Sequence, residues 1–213
     1  MKDKNINNLI SKLSEDSALK PVFSVNRQFA KWIIYTIIYL TGISFYFGIR
    51  SDLSIKLAET HYFIEITCLV LLILTSLYSS LNLALPDHSQ KKSVLILPTI
   101  SIILFVAVLV YLCINYTENL PIDHKQGMIC IGCITFSAII PTFFLFLEVR
   151  KAATTKPNLL SFYVLTYATS LSALALRLEP SDPSIYQTIL YHYVPIIIFA
   201  IIAYLLPKRF LKW

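Results

Sequence analysis

Residues 94–115 read VLILPTISIILFVAVLVYLCIN, 22 residues without one charged side chain. A helix of that length runs about 33 Å at 1.5 Å per residue, enough to cross a hydrocarbon layer of about 30 Å. An amphipathic helix of a soluble protein needs one apolar stripe, whereas this stretch is apolar on every side, as a helix surrounded by lipid must be. Working outward, comparable stretches lie at 32–49, 63–85, 128–147, 159–178 and 189–206. The expected fold is therefore an all-α integral membrane protein of six transmembrane helices. The stretch 159–178 is diluted by Ser161, Thr166, Thr169, Ser170 and Ser172. Small hydroxylated residues are also what membrane helices use to pack closely, so it is retained as a span.

Composition agrees. Hydrophobic residues make up 56% of the 213-residue chain and charged residues 14%, against about 25% charged in a soluble domain. The apolar stretches lack the period-two alternation of a barrel strand, and helices satisfy their own backbone groups within lipid. Lys2, Lys4, Lys12, Lys20 and Arg27 interrupt the first 30 residues, which hold no apolar core of signal-peptide length. The polar N-terminal segment, 1–31, is expected to be retained beside a membrane domain of 32–213.

The cations are distributed unevenly. Fourteen of the eighteen Lys and Arg residues fall in the N-terminal segment up to Lys31, in the loops holding Lys91–Lys92 and Arg150, Lys151 and Lys156, and in the tail with Lys208, Arg209 and Lys212. Arg50, Lys56, Lys125 and Arg177 occupy the alternate loops. Cations are retained on the cytoplasmic side, so both termini are expected there. The net charge of +6 is then a topology signal and a surface for anionic lipid headgroups, and no nucleic-acid contact is implied. The opposite loops, 51–62, 116–126 and 179–188, are too short to form domains with cores of their own.

Ahead of the first span, Ile6, Leu9, Ile10 and Leu13 fall at i, i+3, i+4 and i+7, placing them on one stripe of a short helix over 5–13. Such a helix is marginal in water and needs a surface. The inner leaflet, the protein's own loops and a groove on a soluble partner all qualify by pattern. Residues 14–26, with Pro21 followed by Val22, read as an extended tether.

Glu65 lies about 6 Å below the outer boundary of the second span, counted from His61. Arg177 and His192 are expected at similar depth in the fifth and sixth, so a Glu65–Arg177 pair is expected, either as a strut between helix ends or as part of a sensor. Pro98, Pro141 and Pro195 fall within spans and are expected to kink them. Cys68, Cys113, Cys130 and Cys133 all belong to the outer half, the last two as Cys-x-x-Cys. They read either as small apolar packing residues or as thiols near an oxidising compartment, with Cys113 and Cys130 able to pair if their Cα atoms lie within about 7 Å. His61, His88, His124 and His192 are scattered and form no ligand set, and the four glycines form no phosphate loop. No cofactor and no enzymatic activity are expected, and the oligomeric state is left open.

The pieces also form a familiar order: Leu9-Ile10 and Leu13, then Pro21-Val22, Arg50-Ser51-Asp52-Leu53, Phe63 to Glu65, Leu85-Pro86, Gly127-Met128-Ile129-Cys130, Pro141, Arg150-Lys151-Ala152 and the terminal Arg209-Phe210-Leu211-Lys212-Trp213. In this order the chain resembles the NrsF-like family of six-span anti-sigma factors. The resemblance implies a bacterial inner-membrane protein whose cytoplasmic N-terminus, with Ile6, Leu9, Ile10, Leu13, Pro21 and Val22, holds an extracytoplasmic-function sigma factor until a signal at the outer face releases it. It also implies outward-facing cysteines in the sensor, of which Cys130 matches one. Where a second is expected after the fifth span, this chain reads Arg177-Leu178-Glu179-Pro180. A sensor using such a pair does not carry over, and Cys113 or Cys133 is the substitute candidate. The alternatives are a small transporter or channel subunit, with polar groups converging at mid-membrane, and a thiol oxidoreductase using Cys130 and Cys133.

Overall fold

The computed structural model describes residues 24–86, 88–115, 123–152, 154–180 and 184–205. Among them there is no strand. Six helices are long and apolar enough to cross a membrane: α1 (Val25–Phe47), α3 (Thr60–Leu83), α4 (Lys92–Asn115), α5 (His124–Val149), α6 (Pro157–Arg177) and α7 (Ile185–Leu205). A short α2 (Leu53–Ala58) lies in the first connection.

The core is built around α6. It packs against α3, α5, α7 and, less extensively, α1, and it is buried from Leu160 to Arg177 almost without interruption. The hydroxylated residues that make it the least hydrophobic-looking span are the reason. Thr166, Thr169 and Ser172 donate to the carbonyls of Phe162, Leu165 and Ala168 one turn back, which satisfies their polarity within the helix and leaves short side chains for neighbours to approach. Leu69, Leu77, Val164, Tyr167 and Leu171 fill the interior. By contrast α1, α4 and α5 present Ile38, Ile103 and Phe136 outward, the arrangement expected where lipid replaces water.

Helix α1 begins at Val25, seven residues before the apolar stretch at 32, so Val25 and Asn26 are helical rather than tether. Asn26, Arg27, Gln28 and Lys31 make this turn polar without making it non-helical. It ends at Phe47 because Gly48 takes φ +89°, the left-handed region, with the Pro180 ring nearby. Asp123 caps α5, its carboxylate accepting from the backbone N–H groups of Lys125 and Gln126. Pro157 opens α6, and Ser184 accepts from the Gln187 N–H at the start of α7.

Within α7 the residues Ile189–Tyr193 form a π turn, followed immediately by Val194–Leu205. Pro195 has no N–H to offer the preceding turn, and a π turn at that place relieves the crowding its ring would cause. Three consecutive residues, Tyr191, His192 and Tyr193, are all buried there.

Candidate functional site

At the end of the bundle where α1 finishes and α3 begins, the structure brings Glu65 and Arg177 together as expected. Arg177 Nε lies 2.8 Å from Glu65 Oε1 and Nη2 lies 3.0 Å from Oε2, with 3% of Glu65 and 7% of Arg177 exposed. A buried, two-point ion pair of this kind fixes geometry, and removal of either partner leaves the other charge buried alone. Arg177 is the last residue of α6, where the helix dipole places partial negative charge against a cation.

Tyr193, Tyr62 and Arg50 complete the cluster; the sequence reading names Arg50 as an outer-loop cation and in the family order, and names neither tyrosine. The Tyr193 hydroxyl donates to Glu65 Oε1. The Tyr62 hydroxyl donates to the Arg177 carbonyl at 2.7 Å. Both guanidinium groups lie by the Tyr62 ring, Arg177 at 5.1 Å and Arg50 at 5.7 Å from its centroid, a cation–π arrangement. Arg50 is itself buried and grips Asp52 through Nε at 2.8 Å and Nη2 at 2.9 Å, and its N–H donates to the Leu178 carbonyl. The cluster thus joins the connection after α1 to α3, α6 and α7. Tyrosines three residues before Glu65 and at the π turn carry no sequence signal that separates them from lipid-facing aromatics.

The Arg50 hydrogen bonds hold the Asp52 carboxyl below its ordinary range. Glu179, two residues beyond Arg177, is half-buried and burial pushes its carboxyl up.

His192 is buried within electrostatic reach of Arg177. Neither of its ring nitrogens has a hydrogen-bond partner among the described residues. It therefore stands beside the Glu65–Arg177 pair without bonding to it.

The four cysteines are free thiols. Cys68 is buried in α3, while Cys113, Cys130 and Cys133 are half-buried. The start of α7 meets the helices of the last three: the Tyr186 hydroxyl donates to the Cys113 carbonyl at 3.3 Å, and Tyr191 shares a 2.5 Å hydrogen bond with His124 at the start of α5. No group of three or more His, Cys, Asp and Glu side chains suited to a metal ion occurs among the described residues.

The opposite end of the bundle carries a second polar cluster. Glu148, near the end of α5, accepts from Lys31 of α1 at 3.3 Å and from Lys151 at 2.9 Å. The two neighbouring loops are clasped: Thr154 Oγ1 donates to the Leu83 carbonyl at 2.7 Å, Lys156 Nζ to the Ser89 carbonyl at 3.1 Å, and Ser89 and Thr155 share a 3.1 Å hydrogen bond. Ile6, Leu9, Ile10, Leu13, Pro21 and Val22, with the basic tail from Lys208, lie outside the described residues.

A family model described as NrsF, negative regulator of sigma F, matches residues 13–213. The match starts at Leu13, so Ile6, Leu9 and Ile10 precede it. No curated protein and no solved structure matches the chain.

Proposed function

Because the chain belongs to the NrsF family of negative regulators of sigma F, we propose that it is a membrane anti-sigma factor that sequesters an extracytoplasmic-function sigma factor through its N-terminal segment and releases it on an envelope signal. In this reading the protein sits in a bacterial inner membrane with both termini in the cytoplasm, where the cation-rich loops also meet anionic lipid. Ile6, Leu9, Ile10 and Leu13 form the apolar stripe that docks on the sigma factor and hides a surface RNA polymerase needs, with Pro21 and Val22 setting its distance from the membrane. No covalent chemistry is involved.

The observation that carries the reading is the family match over nearly the whole chain. The start of α1 supports it: Lys31, in the second turn of the helix, reaches Glu148 beside the cation-rich loops, so α1 begins at that end of the bundle. The Glu65–Arg177 cluster, with His192, Cys113, Cys130 and Cys133, lies at the other end and is the proposed receiver of the signal. Helix α6 runs between the two ends and meets α1 through the 2.7 Å hydrogen bond between Thr36 and Tyr167. A signal that lowers affinity for the sigma factor a hundredfold requires a difference of about 2.7 kcal/mol between two states of the bundle. A transporter would gather its polar groups at mid-membrane, whereas the ion pairs here lie near helix ends.

The test is retention of the cognate sigma factor by full-length protein in lipid nanodiscs. Leu9→Glu with Leu13→Glu is expected to abolish retention while leaving the thermal melt of the bundle unchanged. Full retention by that variant, with loss on charge reversal at Lys151 and Lys156, would move the docking surface to the loops.

A further inference from the structure

Helices α1 and α5 meet near their midpoints, where the Tyr39 hydroxyl donates to the Ser137 carbonyl. From there toward the Arg177 end they part, leaving a lateral cleft of about 520 Å³. Tyr39, Ile43 and Phe47 line one wall, and Ile129, Gly132 and Ile140 the other, with Cys133 between them; no charged side chain takes part. The cleft spans Ile129 to Ile140 along α5, about 16 Å at 1.5 Å per residue, which is about half of a 30 Å hydrocarbon layer.

We propose that this cleft is a binding site for one phospholipid acyl chain of the leaflet at the Arg177 end. The occupant follows from three properties. The walls are apolar over their length, and at that depth there is no water to fill the space; left without partner atoms, the facing side chains would forfeit their dispersion contacts. The cleft ends at Ile140, within one turn of the Tyr39–Ser137 contact and near the middle of α5. A helix from a second copy would run through both leaflets, whereas an acyl chain runs through one. Gly132 forms part of the floor: a Cβ built there meets nothing within 4 Å, so the glycine keeps the cleft wide without being needed for packing inside the protein. The Cys133 thiol consequently faces hydrocarbon. The site depends on the protein spanning a membrane and not on what the protein binds in water.

The experiment uses full-length protein in nanodiscs of phosphatidylcholine carrying a photoactivatable diazirine on one acyl chain, with adducts mapped by mass spectrometry. Adducts on the cleft walls are expected to exceed severalfold those on Ile103 of α4, which is 63% exposed on a different face. Gly132→Phe, which fills the cleft, is expected to reduce the wall adducts severalfold and leave those on Ile103 unchanged. A diazirine near the glycerol end is expected to mark Ile129 and one near the methyl end Ile140, a comparison made on the wild-type protein that stands even if the variant fails to fold. Wall adducts no more frequent than those on Ile103, no dependence on diazirine depth, wall adducts that persist in a folded Gly132→Phe protein, or crosslinks joining α5 of two copies would each overturn the proposal.

Discussion

Arg177 closes α6 by gripping Glu65 of α3 at two points, 2.8 and 3.0 Å, while Glu148 of α5 holds Lys31 and Lys151 whose side chains are 62% and 59% exposed. The two carboxylates are buried alike, and their partners are not. Glu65→Gln leaves a buried guanidinium without its counter-charge and is expected to cost about 3 to 5 kcal/mol. Glu148→Gln leaves two lysines already in water and is expected to cost about 1 kcal/mol or less. Thermal melts of the two purified variants check the order; equal losses would show that the Arg177 pair is no more than a surface contact. A Glu65→Gln protein that folds and still answers its envelope signal would also exclude the carboxylate from sensing.

Tyr167→Phe and Thr36→Val each remove one end of the hydrogen bond between α6 and α1. Tyr167→Phe is expected to cost about 1 kcal/mol; Thr36→Val also removes the Thr36 hydroxyl's 2.7 Å bond to the Trp32 carbonyl, so the double variant is expected to cost about the same as Thr36→Val alone, the shared bond being lost only once. Additive losses in a double-mutant cycle would mean that the two hydroxyls act separately.

Glycine positions give a contrast of sign. A methyl at Gly127 would run into the Tyr191 ring, so Gly127→Ala is expected to destabilise by about 1 to 3 kcal/mol, as other overpacking substitutions do. At Gly42 a Cβ meets nothing within 4 Å, and Gly42→Ala is expected to be neutral or to stabilise by up to about 1 kcal/mol through helix propensity. Denaturant titration in detergent micelles reads both.

Acid acts in opposite directions on two loop carboxyls. Asp52, held below its ordinary value of 3.8 by Arg50, binds protons less readily folded than unfolded; its contribution is present above that value and lost as pH falls through the lower folded one. Glu179, raised above 4.5 by burial, binds protons more readily folded, so its ionisation costs stability above its folded value and that cost disappears as pH falls below 4.5. Asp52→Asn is therefore expected to flatten the loss of stability in acid, and Glu179→Gln to steepen it, in melts recorded across the carboxylate range. Identical profiles for the two variants would contradict both assignments.

Spans are legible in the sequence because lipid demands long uncharged stretches, and residues 94–115 meet that demand without help from tertiary context. The Glu65–Arg177 pair is legible for a related reason: two opposite charges at matching depth in hydrocarbon have few other partners. Other features depend on neighbours. Hydropathy puts the start of the first span at 32 because Gln28 and Lys31 are polar, whereas backbone hydrogen bonding extends α1 to Val25. The hydroxyls of 159–178 that dilute the span mark the most buried helix, since closeness of packing is a property of facing pairs and not of one strip of residues. Tyr62 and Tyr193 look like the other tyrosines of the chain until folding sets their hydroxyls against Arg177 and Glu65. Lys31 and Glu148 are 117 positions apart, and nothing local links them.

An α-helix turns by about 100° per residue, so consecutive side chains ordinarily look toward different surroundings. In the π turn of α7, Tyr191 holds His124 of α5 and Tyr193 holds Glu65 of α3, with His192 alone between them. The wide turn sets the angular phase of one grip relative to the other. Deleting or adding a residue there would swing one tyrosine by roughly a quarter of a circle with its hydroxyl chemistry intact, so two distant helices are kept in register by the winding of a third.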